Sequence, residues 1–270
     1  MAELSVVNIA PRVNAIDAFL ERSDAVSDCN DYFFRDKICS REAEKIKEAL
    51  LKNPMFQSSR ARFTYDSRHM EIRITRDNPL INVTSLWFDI HRARWHEEGK
   101  LTPILSDAIT TFCGVESKHS TSAYPETITS PNYCILPWSK TYPSIVIESA
   151  FTQPLAHLEH QKEIWKLATN GETKVVIFGK FSKSPRGTIM GDVYFHRMND
   201  NGIATSSKYG IFPTPKTETP QFIRVSVGEI YGGTCPRSLD PDAELMLSIS
   251  KLRSMCQKII RGSGMIPDEI

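Results

Sequence analysis

Apolar positions between Thr141 and Lys180 predict two buried strands joined by a helix. The first strand is an apolar run over residues 143–147 that ends at an acidic residue, Glu148. After Pro154, apolar residues recur at helical spacing, at Leu155, Leu158, Ile164, Trp165 and Leu167. A second β-branched run follows over residues 174–181. This order is typical of a β-α-β unit in a sheet that is covered on both faces.

The rest of the chain predicts further helices and strands around this unit. Residues 1–55 are interpreted as a mostly helical segment, with one amphipathic helix from Ser40 to about Lys52. The other predicted elements, in chain order, are a hairpin over 62–75, helices over 83–98 and 101–112, a Ser/Thr-rich loop over 114–129, strands near 132, 189 and 223, and a last helix after Asp240.

Together these elements predict an α/β fold with a mixed central sheet flanked by helices. Its centre is formed by the strands near 132, 145 and 176, and the hairpin and the strands near 189 and 223 extend it. Residues 1–55 are expected to pack on a core of residues 56–270, so that the two form one continuous domain.

Composition and charge are those of an ordinary globular protein. The 270 residues are 40% hydrophobic and 24% charged. A run of about 18 apolar residues and a secretory signal pattern are both missing, so we expect an intracellular protein, cytoplasmic or nuclear, without a membrane partner. The net charge of +1 argues against tight non-specific binding to duplex DNA. Six scattered cysteines indicate neither a zinc site nor a disulfide framework.

Glu148 is the residue that most needs a chemical explanation. A carboxylate at the end of a buried strand can be solvated or paired, or it can belong to a site, and the residue alone does not decide between these readings. Its surroundings favour a site. A Ser-Pro-Asn sequence ending at Asn132 introduces the preceding strand, and Gln161 and Trp165 share one face of the following helix.

These motifs resemble the core of the PD-(D/E)XK nuclease superfamily. The residues that carry the resemblance are Ser-Pro-Asn at 130–132, Ile-Val-Ile-Glu-Ser-Ala-Phe-Thr-Gln at 145–153, the Leu and Trp of the helix, and Lys-Val-Val-Ile at 174–177. They are most similar to the fungal branch of restriction-endonuclease-like proteins of unknown substrate. The likeness extends over about residues 60–260, and its specific part is 129–180. It implies a restriction-endonuclease-like fold. It also implies a protein that hydrolyses DNA or RNA and uses Mg²⁺ or Mn²⁺ as its cofactor.

The resemblance implies a metal site formed by two residues. Glu148 matches the second acid of the family motif, and Asn132 stands where the first acid would be. Both would bind the metal through oxygen, the ligand that Mg²⁺ prefers. Asn132 departs from the motif because its oxygen is neutral, and this should weaken metal binding. Ala150 departs as well, because it stands where the family has a lysine.

Other polar residues could assist at this site. Gln161 resembles a glutamine that some nuclease branches carry on the following helix. Lys162 could replace the missing lysine, although the pattern favours a solvated helix face for it, and Gln153 could reach the site from the loop after the strand. The resemblance further implies phosphate contacts from a basic loop that contains Lys180, Lys183 and Arg186.

Three functional interpretations follow. The first is a metal-dependent nuclease, active or catalytically weakened. The second is a non-catalytic binding or interaction module that kept the fold and lost the chemistry. The third is an unrelated α/β protein that shares only the strand-helix-strand unit. The motif departures at Asn132 and Ala150 leave the first two open.

Overall fold

A computed structural model shows a mixed α/β fold and describes residues 9–21, 32–101, 108–198, 204–216 and 221–269. The chain divides into two compact units. We call them the hairpin unit (Met1–Asp77 with Glu116–Ser130) and the central unit (Asn78–Val115 with Pro131–Ile270). This division differs from the predicted grouping of residues 1–55 and 56–270, because the hairpin at 62–75 belongs with the N-terminal helices.

The described helices are α1 (Ala10–Glu21), α2 (Ser40–Leu51), α3 (Pro54–Ser58), α4 (Pro79–Glu97), α5 (Leu155–Leu167), α6 (Val227–Ile230) and α7 (Ile249–Gly262). The described strands are β1 (Tyr32–Arg35), β2 (Arg62–Asp66), β3 (Glu71–Thr75), β4 (Ile109–Phe112), β5 (Ser117–Thr121), β6 (Tyr124–Thr129), β7 (Tyr133–Pro137), β8 (Ile145–Ala150), β9 (Val175–Lys183), β10 (Ile189–Met198), β11 (Ala204–Phe212), β12 (Phe222–Ser226) and β13 (Glu244–Ser248).

The hairpin unit is an antiparallel sheet with the strand order β1-β3-β2-β6-β5. Its core lies between one sheet face and the helices, because the apolar stripe of α2 and alternate strand residues such as Ile72 and Ile74 are buried together. The predicted hairpin is confirmed as β2 and β3. The prediction that it extends the central sheet is wrong, since it belongs to this separate sheet.

Three segments form strands that the sequence analysis did not predict. Tyr32–Arg35 interrupts the predicted helical segment as β1. The predicted loop over 114–129 contains β5 and β6, whose inward side chains include buried polar residues, and this polarity hides the strand pattern. The predicted helix over 101–112 lies partly outside the described residues, and its last part is β4, which is rich in β-branched and aromatic residues.

The central unit contains a mixed sheet with the strand order β11-β10-β9-β8-β7-β4, which confirms the predicted central sheet. β8 and β9 pair in parallel through α5, and the other neighbouring strands are antiparallel. Leu158 and Trp165 of α5 pack against Val146 and Ala150 on one face. The opposite face meets α4, because the side chain of Thr84 lies directly beside Gly179. β8 therefore lies between two helices.

The C-terminal part differs from the prediction. β12 pairs with β13 in a two-stranded sheet and does not extend the central one. The last helix begins at Ile249, whereas the sequence analysis placed its start near Asp240. The reason is that burial alternates along β13, where Leu245 and Leu247 are inward-facing strand residues opposite Val225 and Ile223.

α4 is anchored at its start and buried along most of its length. The side chain of Asn78 accepts the N–H of Leu80 at 2.8 Å and so caps the helix. Trp87 and Trp95 are buried as predicted, but Leu86, also predicted for the core, is 52% exposed. Over the described residues, none of the helices combines the length and the hydropathy that a bilayer crossing requires.

Two buried histidines of the central unit make its stability depend on pH. Burial lowers the pKa of both His91 and His196 from 6.5 to about 4. His91 Nε2 accepts the backbone N–H of Ser248 at 3.1 Å, which requires a neutral ring. Between these pKa values the unfolded chain binds more protons than the folded one. Stability is therefore lost as the pH falls from 6.5 to about 4, by at most about 3 kcal/mol for each histidine.

Urea denaturation at about pH 7 and about pH 4.5 measures this loss. We expect His91→Gln and His196→Gln each to remove roughly half of the histidine contribution, and the double variant to remove most of it. A double variant with the full pH dependence of the wild type would show that other groups cause the loss.

Candidate functional site

Asn132 and Glu148 lie at the same end of two neighbouring strands. β7 and β8 are antiparallel with Tyr133 opposite Ile147, so Asn132 follows the register onto the Glu148 end of β8. Asn132 Oδ1 accepts the backbone N–H of Ser149 at 2.9 Å. Both predicted metal ligands are buried, with 4% and 5% of their surface exposed. The structure thus brings this pair together at the same end of two neighbouring strands.

The Glu148 carboxylate is held by the helix that follows its strand. Trp165 Nε1 donates to Glu148 Oε1 at 3.3 Å. Gln161 lies one helical turn before Trp165 on the same face of α5, and it is buried as well. Burying a carboxylate is costly unless donors or cations compensate it. The hydrogen bond from Trp165 therefore fixes the orientation of the Glu148 carboxylate, whose burial costs free energy.

Lys180 lies next to the position at which the family motif has a lysine and this chain has Ala150. In the parallel pair of β8 and β9, Lys180 lies directly beside Ala150. Paired residues of neighbouring strands face the same side of a sheet, so Lys180 shares the face of Glu148. Its Nζ donates to the carbonyl oxygens of Phe151 at 2.5 Å and Phe181 at 2.8 Å. The sequence analysis had assigned Lys180 to the basic loop.

Lys162 is engaged elsewhere on α5. Its Nζ pairs with the carboxylate of Glu159, one turn earlier in the helix. Only 14% of the Lys162 side chain is exposed, so it is not on a solvated helix face. After burial, the positive charge of Lys162 is the next cause that lowers the pKa of His196. Lys162 is thus part of a Glu159–His196 cluster.

Gln153 lies in the bend between β8 and α5 and is 3% exposed. Among the described residues, its Nε2 has no hydrogen-bond partner, and the same holds for Asn132 Nδ2. Buried amide donors are rarely left unpaired, because each one loses its hydrogen bonds to water. The end of β8 and the bend that follows it therefore include two buried carboxamide donors, Asn132 Nδ2 and Gln153 Nε2.

The remaining residues of the basic loop differ in their contacts. Lys183 is exposed at the end of β9. Arg186 Nη2 contacts the buried carboxylate of Asp268 at 2.9 Å. The backbone around Asp268 pairs with Ile189 at the start of β10, so Arg186 helps to hold this C-terminal segment.

Asp66 and His69 of the hairpin unit are metal-ligating side chains that the sequence analysis did not single out. Asp66 Oδ2 and His69 Nδ1 lie 3.1 Å apart, and a divalent ion could use both. Asp66 Oδ1 also accepts the backbone N–H groups of Arg68 and His69, which stabilises the turn after β2. Only their position in a turn, three residues apart, could have indicated this pair from the sequence.

No protein-family model matches the chain, and a search of curated proteins gives no match. The function of the chain is therefore inferred from the motif and from the geometry at the end of β8.

Proposed function

We propose that the central unit carries a Mg²⁺-dependent phosphodiesterase site of the nuclease type, which acts on nucleic acid. One observation carries this proposal: a buried carboxylate, Glu148, shares its strand end and sheet face with a lysine, Lys180, in register with Ala150. An acid and a lysine on one sheet face are the pair that the motif resemblance implies. Here the lysine comes from the neighbouring strand.

The residues at this strand end fit a magnesium ion. Mg²⁺ is commonly bound by one or two carboxylates and completed by substrate phosphate oxygens and water. Glu148 would supply the carboxylate. Asn132 Oδ1 accepts one backbone N–H, and an amide oxygen has capacity for a second partner. When bound, Mg²⁺ or Mn²⁺ would polarise the phosphate and lower the pKa of a coordinated water.

The protein's own groups have separate tasks in this proposal. Lys180 places a positive charge where negative charge develops on the phosphate, and two backbone carbonyls fix its ammonium group in advance. Trp165 keeps the Glu148 carboxylate in one orientation. Gln153 and Gln161 would orient the phosphate or the attacking water by hydrogen bonds.

A second candidate is a non-catalytic binding module. Asn132 Oδ1 and Lys180 Nζ, two groups that catalysis would direct at metal and phosphate, both make hydrogen bonds to the backbone. Contacts of this kind could have been retained to stabilise the strand end after the chemistry was lost. In that case nucleic acid or another partner would be bound without being cleaved.

A cleavage assay separates the two candidates. Purified protein is incubated with single-stranded and double-stranded DNA and RNA in Mg²⁺, in Mn²⁺, in Ca²⁺ and in EDTA. We expect cleavage in Mg²⁺ or Mn²⁺ and none in EDTA, because a bound cation has to offset the phosphate charge. Binding without cleavage in every condition would favour the second candidate, and cleavage in EDTA would rule out the metal-dependent mechanism.

A further inference from the structure

The hydrogen bond of Asn132 decides which of its atoms faces a ligand. Its Oδ1 accepts the backbone N–H of Ser149. The other end of the carboxamide, Nδ2, is then the atom left for a further partner, and it has none among the described residues. An ionised aspartate at this position would only accept hydrogen bonds. Compared with the aspartate of the family motif, Asn132 therefore keeps one acceptor oxygen and adds a hydrogen-bond donor, Nδ2.

A second buried donor lies beyond the same strand end. Gln153 Nε2 is also without a hydrogen-bond partner in the described part of the chain. Gln153 immediately precedes Pro154, the N-cap residue of the thirteen-residue helix α5, and Pro154 provides no side-chain cap. The first N–H groups of a helix attract anions, although the N–H of His157 here donates to the carbonyl oxygen of Pro154 at 3.0 Å.

Lys180 supplies a positive charge on the same sheet face as the carboxylate of Glu148. Lys180 extends along the same sheet face, and its ammonium contacts the carbonyl oxygen of Phe151, two residues before Gln153. The bond to Ser149 holds Asn132 beside the end of β8, Lys180 Nζ reaches the carbonyl oxygen of Phe151, and Gln153 follows two residues later. A group with several acceptor oxygens and negative charge satisfies all of them, and phosphate is such a group.

We infer that the end of β8 binds a phosphate group directly, in the absence of a metal, with Asn132 Nδ2 and Gln153 Nε2 as donors. The choice of phosphate among anions rests on the proposed function. Asn132 would then donate to phosphate through Nδ2, while its Oδ1 keeps the place that the proposed function gives it beside the metal.

Calorimetric titration of the full chain in EDTA tests this inference. The probes are inorganic phosphate, a nucleoside monophosphate, and a short oligonucleotide with and without a terminal phosphate, which distinguish free, terminal and internal phosphate groups. We expect inorganic phosphate to bind and Asn132→Asp and Gln153→Glu each to weaken it by about tenfold or more. Asn132→Asp keeps an acceptor for the Ser149 N–H, so the fold should be preserved. Lys258→Gln, at an exposed position on α7, is the matched control and should bind as the wild type does.

The outcomes separate this inference from the proposed function. If wild-type protein does not bind phosphate in EDTA, or if both variants bind it as tightly as the wild type, the inference is wrong even when metal-dependent cleavage is found. If phosphate binds and both variants lose it while no condition gives cleavage, the inference stands and the nuclease proposal does not.

Discussion

Replacing Glu148 by Gln is expected to lower metal-dependent cleavage by about 1,000-fold, or roughly 4 kcal/mol of transition-state stabilisation. Glu148 is the carboxylate at the end of β8 that would hold the metal, and a neutral amide binds a hard divalent ion much more weakly. Gln keeps an oxygen acceptor for Trp165 Nε1 and has nearly the same volume. The fold should therefore survive, and circular dichroism and the thermal midpoint check this.

The matched control is Glu163→Gln. Glu163 lies on α5, where its side chain is 43% exposed and contacts Lys166. We expect its rate to stay within about twofold of the wild type, because exposed ion pairs contribute little. If Glu148→Gln retained the wild-type rate, the assignment of the reaction to this strand end would be wrong.

Lys180→Ala is expected to lower cleavage by about 100-fold, because it removes the positive charge that the proposed function directs at the phosphate. Adding Ala150→Lys to this variant moves the ammonium group to the neighbouring strand, onto the same sheet face. This second change should restore the rate by about tenfold, since the charge returns close to its original position. Single-turnover rates at saturating Mg²⁺ separate the chemical step from binding.

Lys162→Met provides the comparison for this experiment. The sequence analysis considered Lys162 as a replacement for the missing lysine, but its ammonium pairs with Glu159. We expect Lys162→Met to change the cleavage rate by about twofold or less. A larger loss from Lys162→Met than from Lys180→Ala, or no rescue by Ala150→Lys in a folded protein, would contradict the role of Lys180.

The elements with a strong apolar pattern could be predicted from the sequence. The strand before Glu148, the helix after Pro154 and the strand from Val175 are present with nearly the predicted bounds, because each is a continuous or periodic apolar segment. Segments with buried polar side chains escaped prediction. In β5 and β6, His119 Nε2 lies 2.8 Å from Thr129 Oγ1, and no apolar alternation marks these strands.

The candidate site could be predicted only in part, because its geometry depends on strand register. The proximity of Asn132 and Glu148 followed from their places at the ends of successive apolar runs. The pairing of Ala150 with Lys180 depends on how β8 and β9 align, and many alignments are compatible with two apolar runs. The orientation of the Asn132 carboxamide depends on one backbone hydrogen bond, which no sequence pattern encodes.

Mn²⁺ binding, followed by electron paramagnetic resonance, reports the proposed metal site at Glu148 without requiring cleavage. The titration compares the wild type with Glu148→Gln and with His69→Gln, which alters the Asp66–His69 pair that could bind a divalent ion. A metal site at Glu148 predicts that Glu148→Gln loses the Mn²⁺ binding of the wild type and that His69→Gln retains it. Loss in His69→Gln with retention in Glu148→Gln would contradict it.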